Sequence, residues 1–129
     1  MKKCKMCNLD KDLSEFYERK DRKSGVQSMC KNCFSTYCSD RWISKKIMAI
    51  KYKGSKCNDC KLSYPDYPYV IFDFHHVNPK EKDFDWSKLK LKGESKIKFE
   101  LDKCVLLCSN CHRIRHHNIF LYPRQDSNL

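Results

Sequence analysis

The chain has 129 residues, a net charge of +11 and ten cysteines, with 33% charged and 12% aromatic residues. This composition excludes a membrane protein, because no apolar run approaches the roughly 18 residues that a spanning helix needs. The length fits one or two small domains with little apolar core. The start of the chain lacks the apolar stretch of a secretory signal, so we expect a cytoplasmic protein with reduced cysteines.

Eight of the ten cysteines form four pairs with the spacing C-x2-C. Two intervening residues allow a tight turn to direct both sulfurs at one ion, and two such pairs complete a tetrahedral structural zinc site. Pairing in sequence order predicts two zinc sites, formed by Cys4, Cys7, Cys30 and Cys33 and by Cys57, Cys60, Cys108 and Cys111. The alternatives are an interleaved pairing and a disulfide scaffold. Because the connecting loops have little apolar content, we expect zinc binding to supply much of the folding free energy.

The first half of the chain predicts a small zinc module followed by a helix. Residues 1–35 contain the first two cysteine pairs and a small apolar cap around Phe16. Residues 32–52 contain no Gly or Pro and predict a helix that ends at Gly54. This helix has two apolar stripes, which is typical of a helix that bridges two packed units, so we assign residues 36–55 to a basic connecting helix. A dimer seam is the alternative, and the oligomeric state, including a homodimer, stays open.

Positive charge is concentrated in the first half. Residues 1–56 contain 15 Lys and Arg against 6 Asp and Glu, whereas residues 57–129 contain 12 against 10. Six basic residues follow one another with no intervening acid, namely Arg41, Lys45, Lys46, Lys51, Lys53 and Lys56. Such a basic face suits the phosphates of a nucleic acid, although a solvated surface produces the same pattern.

The second half predicts alternating short elements. Apolar runs predict strands at residues 69–74 and 104–107, and a polar cap followed by helix-forming residues predicts a short helix at 109–118. Between the strands, residues 77–100 are mostly polar and contain Pro and Gly, so we expect mostly loop there. Residues 123–129 are expected to form a frayed tail.

The five histidines lie in two clusters, His75 and His76 after the first strand and three more on the last helix. His112 and His116 are at positions i and i+4, so they share one helical face and can bind one metal. If the first strand packs against this face, His75 becomes a third ligand, and open positions remain for water or a phosphate oxygen. The spacing therefore predicts a catalytic metal site, with a purely structural cluster as the alternative. Three imidazoles favour Zn, Ni, Co or Mn over Mg, which prefers oxygen ligands.

Residues 56–118 resemble the HNH endonucleases, whose active site is a ββα-metal finger. The resemblance rests on the Cys57 and Cys60 pair, on the segment FDFHHVNP at residues 72–79, and on residues 101–116 with the last cysteine pair and two histidines. The N-terminal half resembles the zinc-ribbon extension of small phage-type members. The resemblance implies a small, zinc-stabilised α+β fold, in which residues 56–122 form the nuclease domain.

The resemblance also implies site roles. His76 matches the general base, His75, His112 and His116 match the ligands of a catalytic divalent ion, and Cys57, Cys60, Cys108 and Cys111 match the structural zinc ligands. His117 is one residue out of register with the metal positions. Lys103 stands where the family has an Asn that braces the loop, which leaves that bracing interaction in question.

The implied activity is metal-dependent hydrolysis of phosphodiester bonds in double-stranded DNA, as nicks or double-strand breaks. Arg113 and Arg115 are further candidates for phosphate contacts, although they lie on different sides of a helix, so we expect at most one of them to contribute directly. The alternative is a non-catalytic zinc module that binds nucleic acid through its basic half. The two hypotheses differ at His76, which only the nuclease requires.

Overall fold

The computed structural model describes residues 1–121. In this part of the chain, two small two-stranded sheets and four helices form a small α+β fold. No helix there is long and apolar enough to cross a membrane. The predicted tail at residues 123–129 and the predicted domain end at residue 122 lie outside the described residues.

The chain divides into two compact units, Met1–Ile43 and Ser44–Leu129. The division lies within the long helix α1 (Lys31–Tyr52), which begins one residue before the predicted helix. Gly54 follows this helix with φ of 92°, a left-handed conformation that glycine adopts without steric cost. The predicted domain boundaries after residues 35 and 55 stay predictions.

The first unit contains one small sheet and a small core. Strands β1 (Lys2–Lys3) and β2 (Asp10–Lys11) pair antiparallel, with Lys2 opposite Lys11. The buried residues of this core are Cys4, Phe16, Val26 and Cys30. Two of these four are cysteines of the predicted zinc site, so little of this core is purely apolar.

The second unit is built on the antiparallel pair of β3 (Phe72–His76) and β4 (Cys104–Cys108), with Phe72 opposite Cys108 and His76 opposite Cys104. The first predicted strand, residues 69–74, is therefore wrong in its bounds. Residues 69–71 form a single turn of 3-10 helix instead, and the strand extends through both histidines. The physical reason is that β4 ends at Cys108, so residues before Phe72 have no partner strand.

The loop predicted for residues 77–100 contains two helices, α2 (Trp86–Leu89) and α3 (Glu94–Leu101). Leu89, Ile97 and Leu101 are fully or almost fully buried in one cluster with Ala49 of α1. Burial of these apolar side chains outweighs the polar composition of the segment. Gly93 is the residue that precedes α3, and the last helix, α4 (Ser109–Leu121), follows β4 directly.

Candidate metal centres

The first and third cysteine pairs form turns with the same geometry. The N–H of Asn8 donates to the carbonyl of Cys4 at 2.9 Å, and the N–H of Lys61 donates to the carbonyl of Cys57 at 3.0 Å. In each turn, the residue after the second cysteine has a positive φ, 61° at Asn8 and 66° at Lys61. This conformation closes the chain tightly enough for both sulfurs to face one point.

The second and fourth cysteine pairs lie at helix starts. Cys30 precedes α1 and Cys33 is in its first turn, whereas Cys108 ends β4 and Cys111 is in the first turn of α4. Helix N-termini stabilise thiolates because the backbone N–H groups there have no partners within the helix.

The four pairs combine in sequence order into two groups of four sulfurs. Within each group, all sulfurs lie within 4.8 Å of one another. The Sγ atoms of Cys60 and Cys108 are 3.6 Å apart, and tetrahedral zinc with bonds of about 2.3 Å requires about 3.8 Å. All ten cysteines of the chain are described and none forms a disulfide. Both groups could therefore hold structural zinc.

The first cysteine in each group has a lowered pKa. Although burial raises the pKa of Cys4, the backbone N–H groups of Cys30, Cys7 and Met6 lower it to about 6. Burial also raises the pKa of Cys57, but backbone N–H groups bring it to about 6. Thiolates, and not thiols, bind zinc, so both groups hold a ligand in its binding form near neutral pH.

A third group consists of the imidazoles of His75, His112 and His116. One ring nitrogen from each lies within 4.8 Å of the other two, and the Nε2 atoms of His112 and His116 are 3.0 Å apart. These separations are compatible with a single ion bound at about 2.0–2.1 Å. The group forms because β3 ends beside α4, which carries the other two rings one turn apart.

The surroundings of these rings favour metal binding. Burial, followed by the charges of His112 and His116, lowers the pKa of His75 to about 4, so its imidazole is neutral at pH 7. The Nδ1 of His112 donates to Asp73 at 3.1 Å. A carboxylate on Nδ1 orients the ring and leaves Nε2 available as a ligand.

The fourth ring, that of His76, is held by a buried carboxylate. Its Nε2 donates to Glu100 at 2.7 Å, and Glu100 is only 1% exposed. Burial raises the pKa of Glu100, but hydrogen bonds from the Asp83 N–H, His76, Lys103 and the Phe84 N–H lower it to about 2. The carboxylate is therefore charged and can only accept hydrogen bonds.

Lys103 connects this carboxylate to the neighbouring loop. Its ammonium group donates to Glu100 at 3.1 Å, to Asp83 at 2.8 Å and to the carbonyl of Glu81 at 3.0 Å. The side chain thus fixes the segment after β3 to the end of α3.

A cavity of about 340 Å³ lies next to these groups. His76, His112 and Asp73 line one part of it, and the aromatic rings of Phe74, Phe84 and Trp86 line another. Two lysines also line it, Lys46 of α1 and Lys82. Asp85 lines it as well, so the cavity combines imidazoles with charges of both signs and an apolar wall.

The basic residues predicted to bind DNA differ in their surroundings. Arg41, Lys51, Lys56 and Arg113 are exposed, whereas Lys45, Lys46 and Lys53 are half-buried. Arg115 is paired with Asp59 through two hydrogen bonds of 2.8 and 2.6 Å. This ion pair occupies the Arg115 guanidinium, so Arg113 is the better candidate of the two for a phosphate contact. Nucleic-acid binding stays a prediction.

The sequence analysis did not identify Glu100 as a site residue, because it expected mostly loop around it. Ile97 and Leu101 are at positions i and i+4, a helical spacing that places Glu100 beside the buried face. That spacing is the signal that could have identified it.

No family model, curated protein or solved structure matches this chain. The resemblance to the HNH endonucleases therefore depends on the sequence pattern of residues 56–118 alone.

Proposed function

We propose that the second unit is a metal-dependent endonuclease of the HNH type, which hydrolyses phosphodiester bonds in double-stranded DNA. The observation that carries this proposal is the convergence of the His75, His112 and His116 rings next to His76, whose Nε2 is held by a buried carboxylate. Three nitrogen ligands leave open positions on an ion, as in catalytic sites, whereas the two four-cysteine groups are closed.

In this proposal, His76 is the general base. Because its Nε2–H is donated to Glu100, Nδ1 is the ring atom left to take a proton from the attacking water. Lys103 holds Glu100 and the loop at Glu81 in place, which is the bracing role that the resemblance assigns to an Asn. Asp73 plays a similar positioning role for His112.

The reaction exchanges one bond at phosphorus and moves two protons. The water oxygen bonds to phosphorus while one of its protons passes to Nδ1 of His76, and the bond to the 3′ oxygen breaks. The 3′ oxygen takes a proton from solvent and His76 releases its proton to solvent, which leaves a 5′-phosphate and a 3′-hydroxyl. When bound to the three histidines, a divalent ion would supply positive charge to the phosphate and to the leaving oxygen.

Plasmid cleavage across a series of divalent metals tests the proposal. The protein keeps its structural zinc, and supercoiled DNA is incubated with Mn, Ni, Co, Zn or Mg. We expect nicked or linear DNA, with the transition metals at least as effective as Mg. His76→Ala should lower the rate by roughly 10²- to 10⁴-fold and leave zinc content and DNA affinity unchanged. His117→Ala is the matched control, because this exposed ring is outside the three-histidine group.

Three results would change the interpretation. Wild-type rates from His76→Ala would assign the chemistry to another residue or to a contaminant. DNA binding without cleavage in every metal would favour the non-catalytic zinc module. Cleavage with Mg alone would contradict the three-histidine site and favour Asp73 as a ligand.

A further inference from the structure

Lys46 has surroundings unlike those of its neighbour on helix α1. The Lys45 ammonium donates to the carbonyls of Lys90 and Lys92 at 2.8 and 3.1 Å, so it stabilises the segment between α2 and α3. Lys46 instead lines the cavity described above. The two adjacent lysines, equivalent in the sequence, therefore have different roles.

Lys46 lines the same cavity as the proposed base, His76. Ala49 and Ile50, three and four residues later, are fully buried, so the stem of Lys46 is on the face of α1 that packs into the second unit. His76 and His112 line the same cavity. Lys82 lines it too but is exposed, so its charge is solvated and its position less constrained.

Two carboxylates line the cavity, those of Asp73 and Asp85, and both make their hydrogen bonds to groups other than Lys46. The Asp73 carboxylate accepts a hydrogen bond from His112, and that of Asp85 accepts one from Ser87 at 2.7 Å. Among the side chains described, those of residues 1–117, none makes a hydrogen bond or ion pair with the Lys46 ammonium. Partial burial of an unpaired charge is unfavourable, and here burial lowers the pKa of Lys46 while Asp73 opposes that shift. An external anion would relieve the part of this cost that Asp73 does not offset.

We propose that Lys46 is a catalytic residue whose ammonium binds a non-bridging oxygen of the phosphodiester that reacts at His76. This inference rests on the nuclease function proposed above. Negative charge on that oxygen grows as the water oxygen adds to phosphorus and before the bond to the 3′ oxygen breaks. A cation that already lines the cavity stabilises this charge with little reorganisation. The remaining basic residues of α1 contribute only general attraction to DNA.

Single-turnover cleavage with saturating DNA tests this role. Lys46→Met keeps the length of the stem and removes the charge, and Lys88→Met makes the same change at an exposed position on α2. We expect Lys46→Met to be roughly 10²-fold slower than Lys88→Met, with DNA affinity changed less than about threefold. Lys46→Arg should recover part of the rate. Equal rates for the two Met variants, with wild-type zinc content in both, would overturn the proposal.

A binding measurement separates this inference from the proposed function. In a titration with inorganic phosphate, the ¹⁵N signal of the Lys46 ammonium, identified by its absence in Lys46→Met, should shift, whereas that of Lys88 should not. If the wild-type protein cuts no DNA but the Lys46 signal shifts, the nuclease proposal fails and the phosphate contact stands. If the signal does not respond to phosphate, the contact is wrong even if the protein is a nuclease.

Discussion

The two four-cysteine groups are built from the same parts. Each combines a tight turn, closed at Asn8 or at Lys61, with a cysteine pair at the start of a long helix. In each turn, the first cysteine N–H also donates five residues ahead, Cys4 to the Leu9 carbonyl at 3.0 Å and Cys57 to the Leu62 carbonyl at 2.8 Å. The ligand geometry alone therefore cannot distinguish the roles of the two groups.

Their surroundings differ. The first group lies in a core where Phe16 and Val26 are the buried residues other than cysteine. The second unit has three buried clusters, which include Phe72, Ile97 and Leu101. A fold with few buried apolar side chains depends on its metal, whereas one with a substantial core can keep its shape without the ion. We infer that the first zinc would fold its unit, and that the second would mainly fix the start of α4, which carries His112 and His116.

Removal of zinc should therefore affect the two units differently, and this is the largest effect we expect. A strong chelator should unfold residues 1–30, because structural zinc supplies about 10–16 kcal/mol in small zinc domains. The β3 and β4 pair should persist. Amide chemical shifts of the full chain before and after chelation measure both outcomes. Simultaneous loss of both sets of signals would mean that the second core is not self-sufficient.

A substitution in each core provides a second test. Phe16→Ala removes a large buried side chain, which typically costs about 3–5 kcal/mol. Because folding and zinc binding are coupled in the first unit, this loss should weaken its zinc affinity by roughly 10²- to 10⁴-fold. Competition with a chelator measures the affinity.

Leu101→Ala is the matched variant in the second unit, where Leu101 is fully buried in a cluster that contains none of the cysteines of the second group. It should cost about 2–5 kcal/mol of unfolding free energy in urea but change zinc affinity at the second group less than about threefold. Equal losses of zinc affinity in the two variants would contradict the difference between the units.

The same contrast explains what the sequence alone could predict. A cysteine pair is a local motif, since its ligands and its turn lie within a few residues, and the structure groups the four pairs in the predicted order. The i and i+4 spacing of His112 and His116 is also local. In contrast, the approach of His75 to these rings depends on the pairing of β3 with β4, which the sequence analysis could state only as a condition.

Glu100 was harder to predict because its contacts are not local. It is 24 residues from His76 in the sequence, and the two meet only because Ile97 and Leu101 anchor α3 in the core. A polar segment with Pro and Gly is typical of a loop, but here burial of Leu89, Ile97 and Leu101 stabilises two helices. Sequence patterns predict single elements well, whereas the contacts between elements depend on packing that no local pattern contains.

Loss of the Glu100 hydrogen bonds is the smallest effect we expect. It sharpens the contrast between the two units, because here a buried charged residue stabilises the core of the second unit. Glu100→Gln keeps the size of the side chain but directs an amide N–H₂ toward existing donors, so we expect a loss of about 2–3 kcal/mol. Glu94→Gln is the control on the same helix, since Glu94 is exposed and pairs with Lys98 at 3.1 Å. It should change unfolding free energy by less than about 0.5 kcal/mol.

The loss should depend on pH in a defined direction. The pKa of Glu100 in the folded protein is about 2, below its ordinary value of 4.5, so the stabilisation by the wild-type carboxylate is complete above about pH 4.5 and declines as the pH falls toward 2. The difference in urea midpoint between wild type and Glu100→Gln should therefore be constant from pH 7 to pH 5 and narrow below that. Zinc release in acid affects both proteins equally, so it cancels in the difference. If the difference in urea midpoint stayed constant down to pH 3, the shape of the Glu100 side chain would be what stabilises the fold. Its negative charge, which interacts with His76 and Lys103, would then contribute little.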